Sequence, residues 1–335
     1  MHKKLQHLAD FFCCSESLDP VSWLKQEYSK LIHEAALLES HDGELQMITD
    51  ASRRHISAGG QYGTSQIINT CVLDSLLYVL RNCHSKYMEI RELFRHDRTI
   101  NAIMIFLHKE RYNEAKMLWL IQLKLVSGEC RFNICEKVNV WSKVEDHLPM
   151  FNDLACAKYH FDEDRASPQI SDDVYQSTLS AFECCCGDVK FLGLRYTDPR
   201  LVLVNVSGRR DRAPQFYITD KYGRTFELQF LLLSNTTEPV KHMTGCSKLE
   251  DRWVLYDNNP EKPPFEDFNI ENADFTNHFI IYLAGYVNTS QAGDKDESLK
   301  DDAPLGILED GSDCGTRVFS STTGLSTRPV KLKMF

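Results

Sequence analysis

Long apolar runs are missing from this chain of 335 residues. Nothing approaches the ~18 consecutive apolar residues of a helical membrane span, so no span is expected. The stretch from Met1 to Asp10 carries basic residues but no sustained apolar segment behind them, which makes it a poor secretory signal. Positive charge is in deficit. With 38 Lys and Arg against 48 Asp and Glu, the formal net charge of −10 has the wrong sign for a general nucleic-acid binder. No Gly-x4-Gly-Lys-Ser/Thr occurs, which excludes a phosphate loop, and no internal repeat is present. Cysteine is present but not dense: the 12 cysteines are about 4% of the chain, well below disulfide-built scaffolds. Reduced thiols in a cytoplasmic or nuclear setting are therefore expected.

What is present divides into two characters. Hydrophobic residues make up 42% of the chain, enough for a substantial core. The length suits two domains of about 150 residues each or one large unit with insertions. Apolar positions at helical spacing run from Ser22 to Leu38, with Pro20 near the start, where proline fits a first helical turn. Residues 41–63 are polar and glycine-containing, and they read as connection. Leu73, Leu76, Leu77 and Leu80 then define one apolar helix face, and further helical patterns cover Met88 to Arg95, Ile100 to His108 and Asn113 to Leu123.

An acidic loop from Phe161 to Pro168 precedes a run of strand signals. These are Val189–Leu194, Leu201–Val206, Phe216–Ile218, Thr225–Leu233, Trp253–Tyr256 and Phe279–Leu283, with a hairpin turn expected at Tyr222-Gly223. Helices followed by strands predict an α+β fold. Residues 1–62 are expected to form a helical extension and linker, 63–287 the main domain, and 288–335 a flexible polar tail.

Cys71 stands at the start of the leucine-faced helix, after a polar loop. The positive end of a helix favours a thiolate there, and the thiolate is the nucleophilic form. His242 lies far downstream in Lys241-His242-Met243, and Asp257 follows in Leu255-Tyr256-Asp257-Asn258. Amide hydrolysis needs a nucleophile, a base, a group that orients the base and donors for the oxyanion. Cys71, His242 and Asp257 supply the first three, and Gln66, five residues before Cys71, is the candidate oxyanion donor with the Cys71 backbone N–H. Each residue alone also suits a structural role, since a free Cys packs as a small hydrophobe. The chain order Cys, His, Asp points to a cysteine peptidase, with its site between a helix start and a sheet edge.

These residues resemble the signature boxes of ubiquitin-specific proteases. Gly63, Asn69, Thr70, Cys71, Ser75 and Leu77 match the cysteine box, and His242, Trp253, Tyr256, Asp257 and Asn258 the histidine box. The segments Leu201–Arg209, Thr225–Leu233 and Asn277–Tyr286 are similar to the family's closing strands, so the resemblance spans Gly63 to Tyr286. It implies a papain-like fold with a helix-rich N-terminal half and an antiparallel C-terminal sheet. It also implies a thiol isopeptidase acting on ubiquitin or a ubiquitin-like modifier and its conjugates.

The departures fall at Gln66, where the family's oxyanion Asn stands, and at Ile68, Val72, Asp74 and Lys241. The Leu73-Asp74 pair is closer to the related SUMO isopeptidases, which leaves ubiquitin and SUMO both open as the modifier. A catalytically inactive module that binds a modifier or protein partner is the alternative. Many relatives carry zinc on paired CxxC motifs, but Cys130-x4-Cys135 and Cys184-Cys185-Cys186 lack that spacing. No cofactor and no metal are expected.

Overall fold

The computed structural model describes residues 20–41, 54–63, 65–125, 137–161, 187–195, 198–205, 215–219, 224–237, 241–271 and 278–290. The expected turn at Tyr222-Gly223, the cysteines at 130, 135 and 184–186, and residues 291–335 lie outside them.

Helix α1 (Pro20–His41) begins at the proline and buries Leu31, Ile32 and Ala35. Four helices follow: α2 (Cys71–Lys86), α3 (Met88–Arg95), α4 (Arg98–His108) and α5 (Tyr112–Gln122). The α2 leucines at 73, 76, 77 and 80 are fully buried, as their spacing requires. Burial extends well beyond that face, from Val72 to His84, because α2 is enclosed on several sides. Asp97 caps α4 by accepting from the amides of Thr99 and Ile100 at 2.8 and 2.9 Å, an arrangement worth ~1 kcal/mol.

Three short strands flank the start of α2. β1 (Gly60–Tyr62) and β2 (Ser65–Ile68) are antiparallel, and β3 (Lys137–Asn139) joins β2 in parallel. Part of the stretch read from sequence as connection is thus a hairpin, with Gly63 at φ +58° in its turn.

The second half is a nine-stranded antiparallel sheet. Its strands are β4 (Ala155–Phe161), β5 (Gly187–Leu192), β6 (Leu201–Asn205), β7 (Tyr217–Thr219), β8 (Thr225–Asn235), β9 (Met243–Leu249), β10 (Arg252–Tyr256), β11 (Phe265–Phe268) and β12 (Phe279–Asn288). The spatial order is β11-β10-β9-β8-β12-β6-β5-β4, with β7 paired to β8. Mixed helix and sheet in this order is an α+β architecture. One face of the sheet shares a core with the helices through Phe230, Leu232, Met243, Tyr256 and Leu283. The opposite face gathers Leu228, Leu231, Leu233, Leu255 and Ile281.

Strand β9 escapes sequence reading, and its surroundings explain why. It lies inside the sheet under α2, so it is built of small and polar residues in place of an apolar alternation. A Cβ on Gly245 would stand 3.1 Å from both the Ser75 carbonyl oxygen and Val79 Cγ1. Glycine lets the helix approach this closely without displacing either neighbour. The buried hydroxyls are satisfied: Thr244 donates to the Leu233 carbonyl at 3.2 Å, and Ser247 accepts from the Asn82 amide at 3.2 Å. No helix among the described residues is long and apolar enough to cross a membrane.

Candidate active site

The left-handed turn at Asn69, with φ +59°, ends β2 and turns the chain into α2, leaving Cys71 as the first helical residue. Thr70 occupies the cap position but does not cap. Its hydroxyl accepts from the Gly59 amide at 2.7 Å and donates to Asp74 Oδ2 at 2.5 Å, so it is spent before it can meet the first-turn N–H groups. The Cys71 amide is the first of the helix's N–H groups that have no intrahelical acceptor, at the end where the dipole is positive.

His242 immediately precedes β9, and Asp257 immediately follows β10. The two strands are antiparallel neighbours, with Tyr256 opposite Gly245, so residues 15 apart in sequence meet at one end of the sheet. His242 Nε2 lies 2.6 Å from Asp257 Oδ1. Cys71 is close enough to the imidazole to act on its pKa, and the two side chains line the same cleft. Burial depresses the His242 pKa, but the hydrogen bonds and charges of Asp257 and Cys71 outweigh it and raise the value from 6.5 to about 10. Burial likewise pushes Asp257 up, and the bond to His242, the Asn259 amide at 2.8 Å and the charges of His242 and Lys262 bring it below the usual carboxylate value. Asp257 and Cys71 thus favour the protonated form of His242.

Cys71 and His242 open on a cleft of about 340 Å³. Asn69 and Val72 line it from the start of α2, Trp141 to Glu145 from the chain after β3, and Lys241, Met243 and Ser234 from the β8–β9 side. Tyr282 closes it from β12. That residue is the extra one in a register shift, since Ile281 pairs with Leu233 while Leu283 pairs with Leu232. Such a bulge re-aims one side chain out of the alternation. Trp141, 60% exposed, stands at the rim.

The cysteines contrast sharply. Cys83 and Cys246 are buried; burial pushes the Cys83 thiol up to about 12 and that of Cys246 well above its ordinary value. Cys71 is half-buried and faces the cleft. The chemistry of a reactive thiol belongs to such an accessible position next to a cation.

Of the four residues singled out from sequence, Cys71, His242 and Asp257 converge and Gln66 does not. Alternation along β2 turns Ser65 and Ile67 inward and leaves Gln66 exposed, away from the cleft lining. Nor do the convergent groups sit on a sheet edge. β9 and β10 are interior strands, and His242 and Asp257 lie at their ends.

Beneath the site is a buried polar cluster that the sequence hinted at only through Asp74. Asp74 is fully buried and accepts from Thr70 and from Asn258 Nδ2 at 2.7 Å, while Lys116 Nζ of α5 lies 2.8 Å from its Oδ1. Lys116 also donates to the carbonyls of Ser57 and Gly59. Burial pushes the Asp74 carboxyl up, against the opposing pull of Lys116, Thr70 and Asn258. The cluster ties the residue before Cys71 to the residue after Asp257. Among the described residues, no group of three or more His, Cys, Asp or Glu could hold a metal ion.

No family model matches the chain, and no curated protein does. Solved structures do match, among them the SAGA Ubp8/Sgf11/Sus1/Sgf73 DUB module. That likeness has 10% identity and a TM-score of 0.31, covering 77% of this chain and 74% of the other. The chemistry of the site rests on its own residues.

Proposed function

We propose that this chain is a papain-like thiol isopeptidase that removes ubiquitin or a SUMO-type modifier from proteins, in the cytoplasm or nucleus, where thiols stay reduced. The observation that carries the reading is Cys71 and His242 lining one cleft, with Asp257 behind the imidazole at 2.6 Å. A helix-start thiol, a histidine and an orienting carboxylate form the set that acyl transfer from an amide to sulfur requires.

The steps follow from the charges. Cys71 thiolate attacks the carbonyl carbon of the modifier's C-terminal glycine; a C–S bond forms, and the carbonyl oxygen becomes an oxyanion facing the Cys71 amide. Collapse breaks the C–N bond. The proton on His242 goes to the departing lysine amine, leaving a thioester and a neutral imidazole. Acylation also ties up the Cys71 sulfur, one of the partners that hold the His242 pKa up. The imidazole is then a better proton acceptor from water, which adds to the thioester, breaks the C–S bond and restores the thiolate–imidazolium pair.

The test is a pair of electrophilic probes built on the C-termini of ubiquitin and SUMO. Labelling at Cys71, lost in Cys71→Ala without loss of fold, is the expected result, and the probe that labels identifies the modifier. Silence of both probes with modifier binding retained would mean a non-catalytic binding module instead.

A further inference from the structure

Gln66 was the sequence candidate for a side-chain oxyanion donor, and it lies away from the cleft. The segment after β3 offers another. β3 runs parallel to β2 with Ile68 opposite Asn139, and the pairing continues as the Val140 amide donates to the Ile68 carbonyl at 3.0 Å. The chain leaving β3 therefore starts out beside the end of β2, two residues before Ser142. Asn69 spends its own amide on Asn139 Oδ1 at 2.9 Å. Ser142 lines the same cleft as Cys71 and His242.

The direction of the Ser142 hydroxyl follows from its neighbours. Trp119 is fully buried on α5, and its indole N–H lies 3.0 Å from Nδ1 of His147. An indole nitrogen only donates, so His147 Nδ1 must accept. His147 is itself fully buried, and burial lowers its pKa to about 4, so the ring is neutral and its single proton sits on Nε2. That nitrogen lies 2.7 Å from Ser142 Oγ. Ser142 is therefore the acceptor in this bond, and its own hydrogen has no acceptor among the described residues. A hydroxyl that already accepts from an imidazole is polarised as a donor.

We infer that Ser142 is the side-chain donor to the oxyanion, its O–H directed into the cleft by the Nε2–H tautomer of His147 that Trp119 fixes. This rests on the thiol-isopeptidase reading. Ser142 would touch the reacting carbonyl oxygen, while His147 and Trp119 are positioning residues acting through it. Together with the Cys71 amide it would make the two-donor arrangement that stabilises a tetrahedral oxyanion.

Three measurements on the full chain test the inference. Ring nitrogen NMR of His147 is expected to find the proton on Nε2; a proton on Nδ1 overturns the inference without reference to activity. Turnover of ubiquitin or SUMO carrying a fluorogenic amide at its C-terminal glycine is expected to fall on the order of 10²–10³-fold in kcat for Ser142→Ala, with KM little changed. Ser142→Thr, which keeps the hydroxyl, should restore most of that loss. Alkylation of Cys71 by iodoacetamide, followed on its peptide by mass spectrometry, should proceed at the parent rate in Ser142→Ala, because displacement at an alkyl carbon develops no oxyanion. Equal loss in both reactions would mean a disturbed thiol and overturn the inference. A competent parent with unchanged kcat in Ser142→Ala overturns it too. A parent that turns over neither substrate overturns the isopeptidase reading, and this one with it.

Discussion

At the residue scale, the behaviour of His242 comes from a contest that burial loses. Desolvation alone would make the ring a weaker base, as it does for His147, which is held at about 4. Asp257 and Cys71 reverse the sign and bring His242 to about 10. The Asp257→Ala variant removes one hydrogen bond and one charge from this contest. The His242 midpoint, read from its ring-carbon NMR shifts, is expected to move down from about 10 toward or below 6.5, and an unmoved midpoint would deny Asp257 its orienting role. Turnover should fall on the order of 10²–10⁴-fold, the range of general acid–base contributions. These three residues were legible in sequence because their types and local settings are specific. Ser142 was not, because a serine donates or accepts according to neighbours that lie elsewhere in the chain, here His147 and Trp119.

At the element scale, the start of α2 and the end of β10 are held in one frame by a buried ion pair. Asp74 and Lys116 are 2.8 Å apart and essentially unexposed, and Thr70 and Asn258 attach the segments that carry Cys71 and Asp257 to them. Tyr256 adds a second tie, stacking on Tyr78 of α2 with centroids 4.3 Å apart and donating to the Ile56 carbonyl. Lys116→Met would leave Asp74 buried without its cation, at a cost of about 3–5 kcal/mol, to be measured by urea denaturation. Adding Asp74→Leu should recover part of that loss, since the uncompensated charge is then gone. A double variant worse than the sum of the singles would mean that the pair matters chiefly through packing. Sequence marked Asp74 as a departure from the family pattern, but not what it binds. Lys116 sits in an amphipathic helix pattern, where a lysine ordinarily reads as solvated.

At the scale of the whole molecule, the site makes stability depend on pH in a defined window. The folded pKa of His242 is raised from 6.5 to about 10, so its contribution is complete below 6.5 and is lost as pH rises through about 10. Asp257 is lowered from 3.8, so its contribution is present above that value and is lost as pH falls through the folded one. The stability gap between the parent chain and His242→Ala should therefore be widest between about pH 4 and 6.5 and close toward pH 10. Urea midpoints across that range test it. A gap independent of pH would mean that His242 stabilises the fold by packing and not by charge.

Sequence by itself determined the helix-rich first half and most of the strands, and it singled out the thiol, histidine and carboxylate as candidates, because periodicity and residue chemistry are local properties. Tertiary structure decided what those signals cannot carry. It made a central strand of Met243–Leu249, whose small residues are chosen by the helix pressing on Gly245. It turned Gln66 outward by the alternation of β2, and it brought Ser142 into the lining of the cleft that holds Cys71. Which side chains share a cleft depends on contacts between elements distant in sequence, and no local pattern records those.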